Sequence, residues 1–208
     1  MQRTITVIGQ RLATARPDRA IVRVGVETEA TNPAEALEQN NTRIEALQAK
    51  LNELGISGDA IETSNFNIAP AYRGPNQDPN SYVVRNTLQV TISDLSRVGE
   101  VLNQLVQAGA NRIHGLTYHV ADEQPLRQQA RVDAIQRARQ QAEQYAAAIS
   151  GSLGQVLEIK EDSSSGIQPF PIEAGRASGA VPLEPGEQQI RANVQVTFLL
   201  NSGTAPSP

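Results

Sequence analysis

The sequence predicts an α+β fold: a mixed, largely antiparallel sheet or sheets with three main helices packed on sheet faces, in the order ββαββαβαββ. Two patterns carry this prediction. Apolar and polar side chains alternate with a period of two in several segments, which is typical of half-buried strands. Between these segments, apolar or small residues recur at three- and four-residue steps, which indicates helices with one buried face.

The chain begins with two β-branched segments, at 4–9 and 20–28. Pro17 and Asp18 between them favour a turn, so we expect the two strands to pair with each other. Four apolar residues of the second segment share one face: Ala20, Val22, Val24 and Val26. One face of this sheet is therefore expected to be buried and the other to be at least partly exposed to water.

The first helix is predicted to begin after Asn32, which can accept a hydrogen bond as N-cap, with Pro33 at the first helical position. Its apolar residues recur until Gly55, at Leu37, Ile44, Leu47, Leu51 and Leu54. The pattern lasts only about three heptads, so a helix covering the core is favoured over a partner zipper.

The middle of the chain continues the alternation of strands and helices. A weaker strand is predicted over 60–70, a turn-rich loop over 71–81, and a strand with regular alternation over 82–92. A helix capped by an aspartate follows over 94–109, and then a strand over 112–121.

A third helix, over 124–149, carries alanine at every fourth position: Ala130, Ala134, Ala138, Ala142 and Ala146. Such a ridge of small side chains lets a helix lie close against a sheet or another helix. The same helix is locally basic, and Arg127 and Arg131 are its candidates for binding an anion or an acidic partner. A solvated helix face is the commoner explanation of such a charge pattern, so both explanations stay open.

The C-terminal part is predicted to contain a strand over 153–161 and a clean final strand over 190–200. Between them, 163–182 is rich in Ser, Gly and Pro, which predicts a flexible loop. The tail, 201–208, has no apolar pattern and is expected to fray.

Composition and domain organisation set the limits on function. We expect a single domain over 1–208, with two intertwined subdomains at about 1–81 and 82–200 as an alternative. The 208 residues include no cysteine, which excludes disulfides and thiol chemistry. The net charge of −4 and the lack of tryptophan argue against a nucleic-acid surface, and no apolar segment is long enough to span a membrane.

No constellation of residues indicates a reaction. His114 and His119 lie five apart on a predicted strand, so we expect them to leave opposite faces and not to share a metal. Neither a Gly-x-Ser-x-Gly elbow nor a phosphate-binding glycine motif is present. We therefore predict no catalytic, cofactor-binding or metal-binding residues. The weakest alternative is a hydrolase or anion-binding enzyme that uses Arg127 or Arg131 with His119.

Several blocks of sequence, in this order and spacing, resemble the SIMPL-domain family over about residues 3–200. The opening Val-Ile-Gly-Gln is followed by Ala-Arg-Pro-Asp-Arg-Ala and its β-branched continuation, and later by Ile-Ala-Pro-Ala-Tyr and Leu-Glu-Pro-Gly-Glu. The matching blocks lie at 7–10, 15–28, 54–63, 68–72, 82–92, 107–113, 130–146 and 183–187. The chain departs from the family in the opening, where Val-Ser-Gly-Glu-Gly is common.

The resemblance implies an α+β protein that is exported to the bacterial cell envelope and associated with oxidative-stress defence or, in pathogens, with surface immunogens. It also implies self-association, because some members form ring- or channel-like oligomers. The family has no established catalytic residues to carry over. We therefore expect a periplasmic location, although this sequence does not include the leader segment of the family.

Two functional hypotheses result. The first is a non-enzymatic, self-associating homo-oligomer of the cell envelope, with a ring as one form, since long regular strands need edge partners. The second is a binding module for a peptide, protein or envelope polymer, which would use the loops at 71–81 and 163–182. Neither hypothesis requires a cofactor, a nucleic acid or a transmembrane segment.

Overall fold

The computed structural model describes residues 2–72, 80–161, 167–168 and 186–201. Within these ranges the strands are β1 (Thr4–Ala15), β2 (Arg19–Ala30), β3 (Ile61–Ala71), β4 (Ser81–Ile92), β5 (Arg112–His119), β6 (Ser152–Glu161), β7 (Ile167–Gln168) and β8 (Gln188–Asn201). The helices are α1 (Pro33–Glu53), α2 (Val98–Gln107) and α3 (Gln124–Ala148). Short 3₁₀ turns precede β3 and α2. The predicted α+β class is confirmed, and the predicted order of the elements matches apart from the additional two-residue β7.

The chain folds as two compact units. Among the described residues, the central unit consists of 17–72 and 80–119, and the terminal unit consists of 2–16, 120–161, 167–168 and 186–201. These bounds differ from the division near residue 82 that the sequence suggests, because the two ends of the chain belong to the same unit.

The central unit is a four-stranded antiparallel sheet in the order β3-β4-β2-β5, with α1 and α2 on one face. The predicted apolar face of β2 is fully buried and packs against Leu47 and Leu51 of α1 and Val101 and Leu105 of α2. We call the opposite side of this sheet the outer face. Residues from the start of β2 and the end of β5 lie side by side, because Arg19 pairs with His119 and the Asp18 N–H donates to the His119 carbonyl at 3.1 Å.

The first helix begins and ends where the sequence predicts. Asn32 Oδ1 accepts the N–H of Ala34 at 2.8 Å, Pro33 is the first helical residue, and Gly55 takes a left-handed conformation with φ of 80° after the last turn. Asn40 is buried under the helix and donates from Nδ2 to the carbonyls of Val26 (3.1 Å) and Val84 (3.3 Å), which ties α1 to β2 and β4.

The terminal unit is a second antiparallel sheet in the order β1-β8-β6, with the two-residue β7 also paired to β8. Helix α3 covers one face, and its predicted alanine ridge is buried: Ala130, Ala134, Ala138, Ala142 and Ala146. The helix lies so close to β1 that a Cβ built on Gly9 would stand 1.9 Å from the carbonyl oxygen of Ala134. Close packing is thus the role of the ridge.

Three local predictions are wrong. Strands β1 and β2 do not pair with each other, since β1 pairs along its whole length with β8 while β2 pairs with β4 and β5. Residues Ile167–Gln168, inside the predicted loop, form β7 because their backbone pairs with Gln189 and Ile190 of β8. Asn201 is the last residue of β8 and not the first of a frayed tail. The rest of the two predicted loops and of the tail, at 73–79, 162–166, 169–185 and 202–208, lies outside the described residues.

Replacing Gly9 by alanine is expected to destabilise the terminal unit by about 3 kcal/mol, because the added methyl group would push α3 away from β1. Hydrogen exchange of the α3 amides should become faster and the denaturant midpoint should fall. Gly154→Ala serves as the graded control, since its Cβ would meet Leu199 at 3.0 Å and a small adjustment relieves that contact. Equal effects of the two substitutions would contradict the proposed closeness of α3 and β1.

Candidate functional site

The two arginines predicted as anion-binding candidates are both paired with carboxylates. Arg127 Nη2 lies 3.0 Å from Oε2 of Glu123, the residue just before α3, and Arg131 Nε lies 2.7 Å from Glu161 Oε1 at the end of β6. Because each guanidinium is already neutralised by a neighbour, neither offers an unmatched charge to a ligand. Their role in binding an anion or a partner stays a prediction.

The two histidines lie on the same face of the central sheet, which corrects the expectation from the sequence. Strand β5 contains a bulge. Leu116 pairs with Val22 and Ile113 pairs with Val24, so two residues of β5 lie opposite the single residue Arg23 of β2. Gly115, with φ of 76°, provides the backbone conformation that the extra residue needs. The extra residue changes the alternation, so His114 and His119 both project from the outer face. His119 Nε2 lies 3.2 Å from Thr117 Oγ1.

No metal centre is formed by the part of the chain that the structure covers. In that part, no group of three or more His, Asp or Glu side chains is placed to hold an ion. The two histidines are separated along β5 by about 13 Å, because the bulge leaves an advance of about four residues between them at roughly 3.3 Å per residue.

The outer face carries one ion-pair network, centred on Glu27 of β2. Its carboxylate accepts hydrogen bonds from Arg85 Nε of β4 at 2.6 Å and from Arg112 of β5, whose Nε lies at 3.1 Å. Burial by itself raises the pKa of Glu27, but the hydrogen bonds and charges of Arg112 and Arg85 outweigh burial, so the net effect lowers the pKa. This network joins the three strands β4, β2 and β5 across their outer face.

A second group of arginines surrounds β1 in the terminal unit. Arg11, Arg137 of α3 and Arg191 of β8 line a cavity of about 430 Å³ together with Gln10 and Leu12. Arg11 Nε lies 3.6 Å from Asp133, whereas Arg137 and Arg191 form no ion pair within the described ranges. We call these three residues the β1 arginine cluster. It presents a net positive charge to solvent.

This cluster is not visible in the sequence, because its members come from three elements that are far apart in the chain. Only Arg137 belongs to the basic helix face that the sequence shows. Arg191 comes beside β1 through the pairing of β8, in which it stands opposite Leu12. The signal that could locate the cluster is the strand pairing itself, which local patterns do not reveal.

The cluster lies at an open sheet edge. Among the residues that the structure describes, β1 pairs only with β8 and β6 only with β8, so both strands are edges of the terminal sheet. Strand β1 is twelve residues long, and its large apolar residues Ile8 and Leu12 are 56% and 46% exposed on the face opposite α3. An edge strand of this kind has unpaired N–H and C=O groups that can pair with another strand.

Comparison with known proteins assigns the chain to a family. The architecture defines a two-unit α+β protein in which helices cover one face of each antiparallel sheet. The model of the SIMPL family, described as proteins of unknown function (DUF541), matches residues 5–198. The chain belongs to the SIMPL family, which confirms the resemblance seen in the sequence.

Several curated relatives cover most of the chain. The 26 kDa periplasmic immunogenic protein of Brucella melitensis biotype 1 is 29% identical over 93% of this chain and 83% of its own length. The uncharacterized protein YggE of Escherichia coli K12 is 27% identical over 92% of this chain and 78% of its own length. A Xenopus laevis homologue of interleukin-1 receptor-associated kinase 1-binding protein 1 is 26% identical over 77% of this chain and 64% of its own length.

Replacing Glu27 by glutamine should lower the stability of the central unit at neutral pH by up to about 1 kcal/mol, because two guanidinium groups lose their anionic partner. The pKa of Glu27 is lower in the folded state, so the stabilisation by its charge is present above its ordinary value of 4.5 and is lost as the pH falls through the folded pKa. Denaturation curves of the wild type and Glu27→Gln are therefore expected to converge at acidic pH. A stability difference that stays constant from pH 7 to acid would contradict this.

Proposed function

We propose that the protein is a non-enzymatic, self-associating component of the cell envelope and that its copies join through the free edge of β1. The observation that carries the proposal is the length of this edge: twelve consecutive residues pair on one side only, within the described ranges, and are flanked by exposed Ile8 and Leu12. Pairing with a strand of a second copy satisfies the backbone groups and covers these apolar side chains.

The location in the envelope is supported by the relatives, because the Brucella proteins are named as periplasmic. None of the helices in the described part of the chain is long and apolar enough to cross a membrane. The non-enzymatic character is supported by the sequence, which has no cysteine nucleophile and no recognised catalytic motif. A contribution to oxidative-stress defence would then be indirect, through the assembly and not through thiol chemistry.

Charge favours a contact between different edges of the two copies. Pairing β1 with β1 of another copy would bring two arginine clusters together, and like charges in an interface are unfavourable. Strand β6, the other edge of the same sheet, carries Glu158 and Glu161, which are paired with Lys160 and Arg131, so a contact with this edge does not bring like charges together. A β1 to β6 contact is heterologous, and repetition of a heterologous contact generates a ring when the rotation closes.

The double substitution Ile8→Lys with Leu12→Lys is expected to abolish assembly, because each lysine places a charge beside the strand edge without disturbing the buried face. Light scattering coupled to size-exclusion chromatography should give a multiple of 22.4 kDa for the wild-type chain and about the monomer mass for the variant. The matched control is Val132→Lys with Tyr145→Lys, which places the same two charges at exposed apolar positions of α3. A monomeric wild type, or equal masses of variant and control, would refute the proposal.

A second experiment tests whether the contact joins β1 of one copy to β6 of another. A variant with Ile8→Lys and Leu12→Lys keeps an intact β6 edge, and a variant with Glu158→Lys and Glu161→Lys keeps an intact β1 edge. The two altered edges are both positively charged and therefore do not pair with each other. Each should be monomeric alone, while an equimolar mixture should form a dimer that grows no further, since each partner supplies one working edge. Larger species in either variant alone would show that another surface holds the copies together.

A further inference from the structure

We infer that the outer face of the central sheet contains a binding site for a phosphate group, built around Arg23. This site is separate from the edge surface of the proposed assembly. Six polar residues from all four strands of the sheet line a depression of about 440 Å³ there: Arg23, Ser64, Asn65, Thr87, Gln89 and His114.

Two irregularities of the backbone bring these side chains together. Strand β3 shifts register between Thr63 and Asn65, and β5 shifts register around His114, so each edge strand has one extra residue at this level of the sheet. Bulges of this kind change the direction of side chains and are common beside functional sites. Without the bulge in β5, the side chain of His114 would point towards the helices.

Arg23 occupies the middle of the depression. It lies directly opposite Gln89 in the pairing of β2 with β4, and on its other side is the bulged segment of β5 that carries His114. The next residue of β2 on the outer face is Gly25, so no side chain stands between Arg23 and Glu27 along the strand. The guanidinium of Arg23 is therefore exposed among amide and imidazole groups.

The charge of Arg23 is not neutralised by a neighbour. Arg23 makes no ion pair in the described part of the chain, whereas other outer-face arginines, Arg85 and Arg112, share Glu27. Another carboxylate on the outer face is that of Glu62 on β3, two strands away from Arg23. Gln89 of β4 lies between them, and its Nε2 is 3.5 Å from Glu62 Oε2. An anion would thus find an unmatched positive charge in the depression.

The number of donors favours phosphate over a carboxylate. Arg23 offers a planar fork of N–H groups, the amide of Asn65 two N–H groups, and His114 one when neutral. The amide of Gln89 adds one N–H group, because its other N–H group donates to Glu62. The Ser64 hydroxyl is not counted, because it donates to the Thr87 carbonyl at 3.2 Å. A phosphate monoester has three terminal oxygens to accept these bonds and inorganic phosphate has four, whereas a carboxylate has two. The ligand class is therefore a phosphate or a phosphate monoester.

The test is a titration of the full chain with inorganic phosphate, followed by the backbone amide signals in NMR at constant ionic strength. Saturable shifts are expected at the six lining residues, and Arg23→Gln should weaken binding at least tenfold, about 1.4 kcal/mol. Arg23→Lys keeps the charge without the fork and should give an intermediate affinity. Arg43→Gln, on an exposed position of α1, makes the same charge change on the other side of the unit and should bind as the wild type does.

Several results would overturn the site. These are the absence of saturable shifts in the millimolar range, shifts that map to the β1 arginine cluster, equal affinity for acetate and phosphate, and equal weakening by Arg23→Gln and Arg43→Gln. The variants alter an exposed side chain, and an unchanged amide spectrum without phosphate establishes that they are folded. Phosphate binding should also survive Ile8→Lys with Leu12→Lys, which separates this site from the proposed assembly surface.

Discussion

The pairing of β1 with β8 is the constraint on which the terminal unit depends. Twelve consecutive pairs, from Thr4 with Leu199 to Ala15 with Gln188, place the two ends of the chain in one sheet. The pairing presents Gly9 and the apolar side of β8 together to the alanine ridge of α3. It also leaves β1 as an edge and puts Arg191 beside Leu12. The buried core and the exposed basic surface of this unit therefore have a common origin.

Local patterns in the sequence were sufficient to predict most elements. The alternation in β2, β4 and β8, the cap at Asn32 and the alanine spacing of α3 are all properties of neighbouring residues, and each is confirmed. The pairing of strands is a property of distant residues. A turn at Pro17 and Asp18 is compatible with a hairpin, but burying the apolar face of β1 against α3 requires β8 as its neighbour. Sequence proximity therefore predicted the wrong partner.

The candidate sites show the same limit more strongly. Sequence reasoning selected Arg127 and Arg131 because they stand in a basic run, yet Glu123 and Glu161 pair with them in the fold. Three arginines that form no ion pair in the described part of the chain, Arg23, Arg137 and Arg191, stand far apart in the sequence, and of these only Arg137 lies in the basic run. The bulge at Gly115 is equally difficult to predict from the sequence, because a single glycine in a strand does not by itself indicate a change in the alternation of side chains. Local charge density was thus a poor guide to unmatched charge.

Arg19 and His119 are paired on neighbouring strands, so the segment of the chain between them begins and ends at nearly the same place. Within the described residues, the chain enters the central unit at β2 and leaves it at the paired end of β5, so that unit has the arrangement of an insertion between β1 and α3. Insertions with neighbouring ends disturb their host little, because the host needs to span only a short gap. Recombination could accordingly exchange the two parts independently, and surface properties of one part can diverge while the other keeps its sequence.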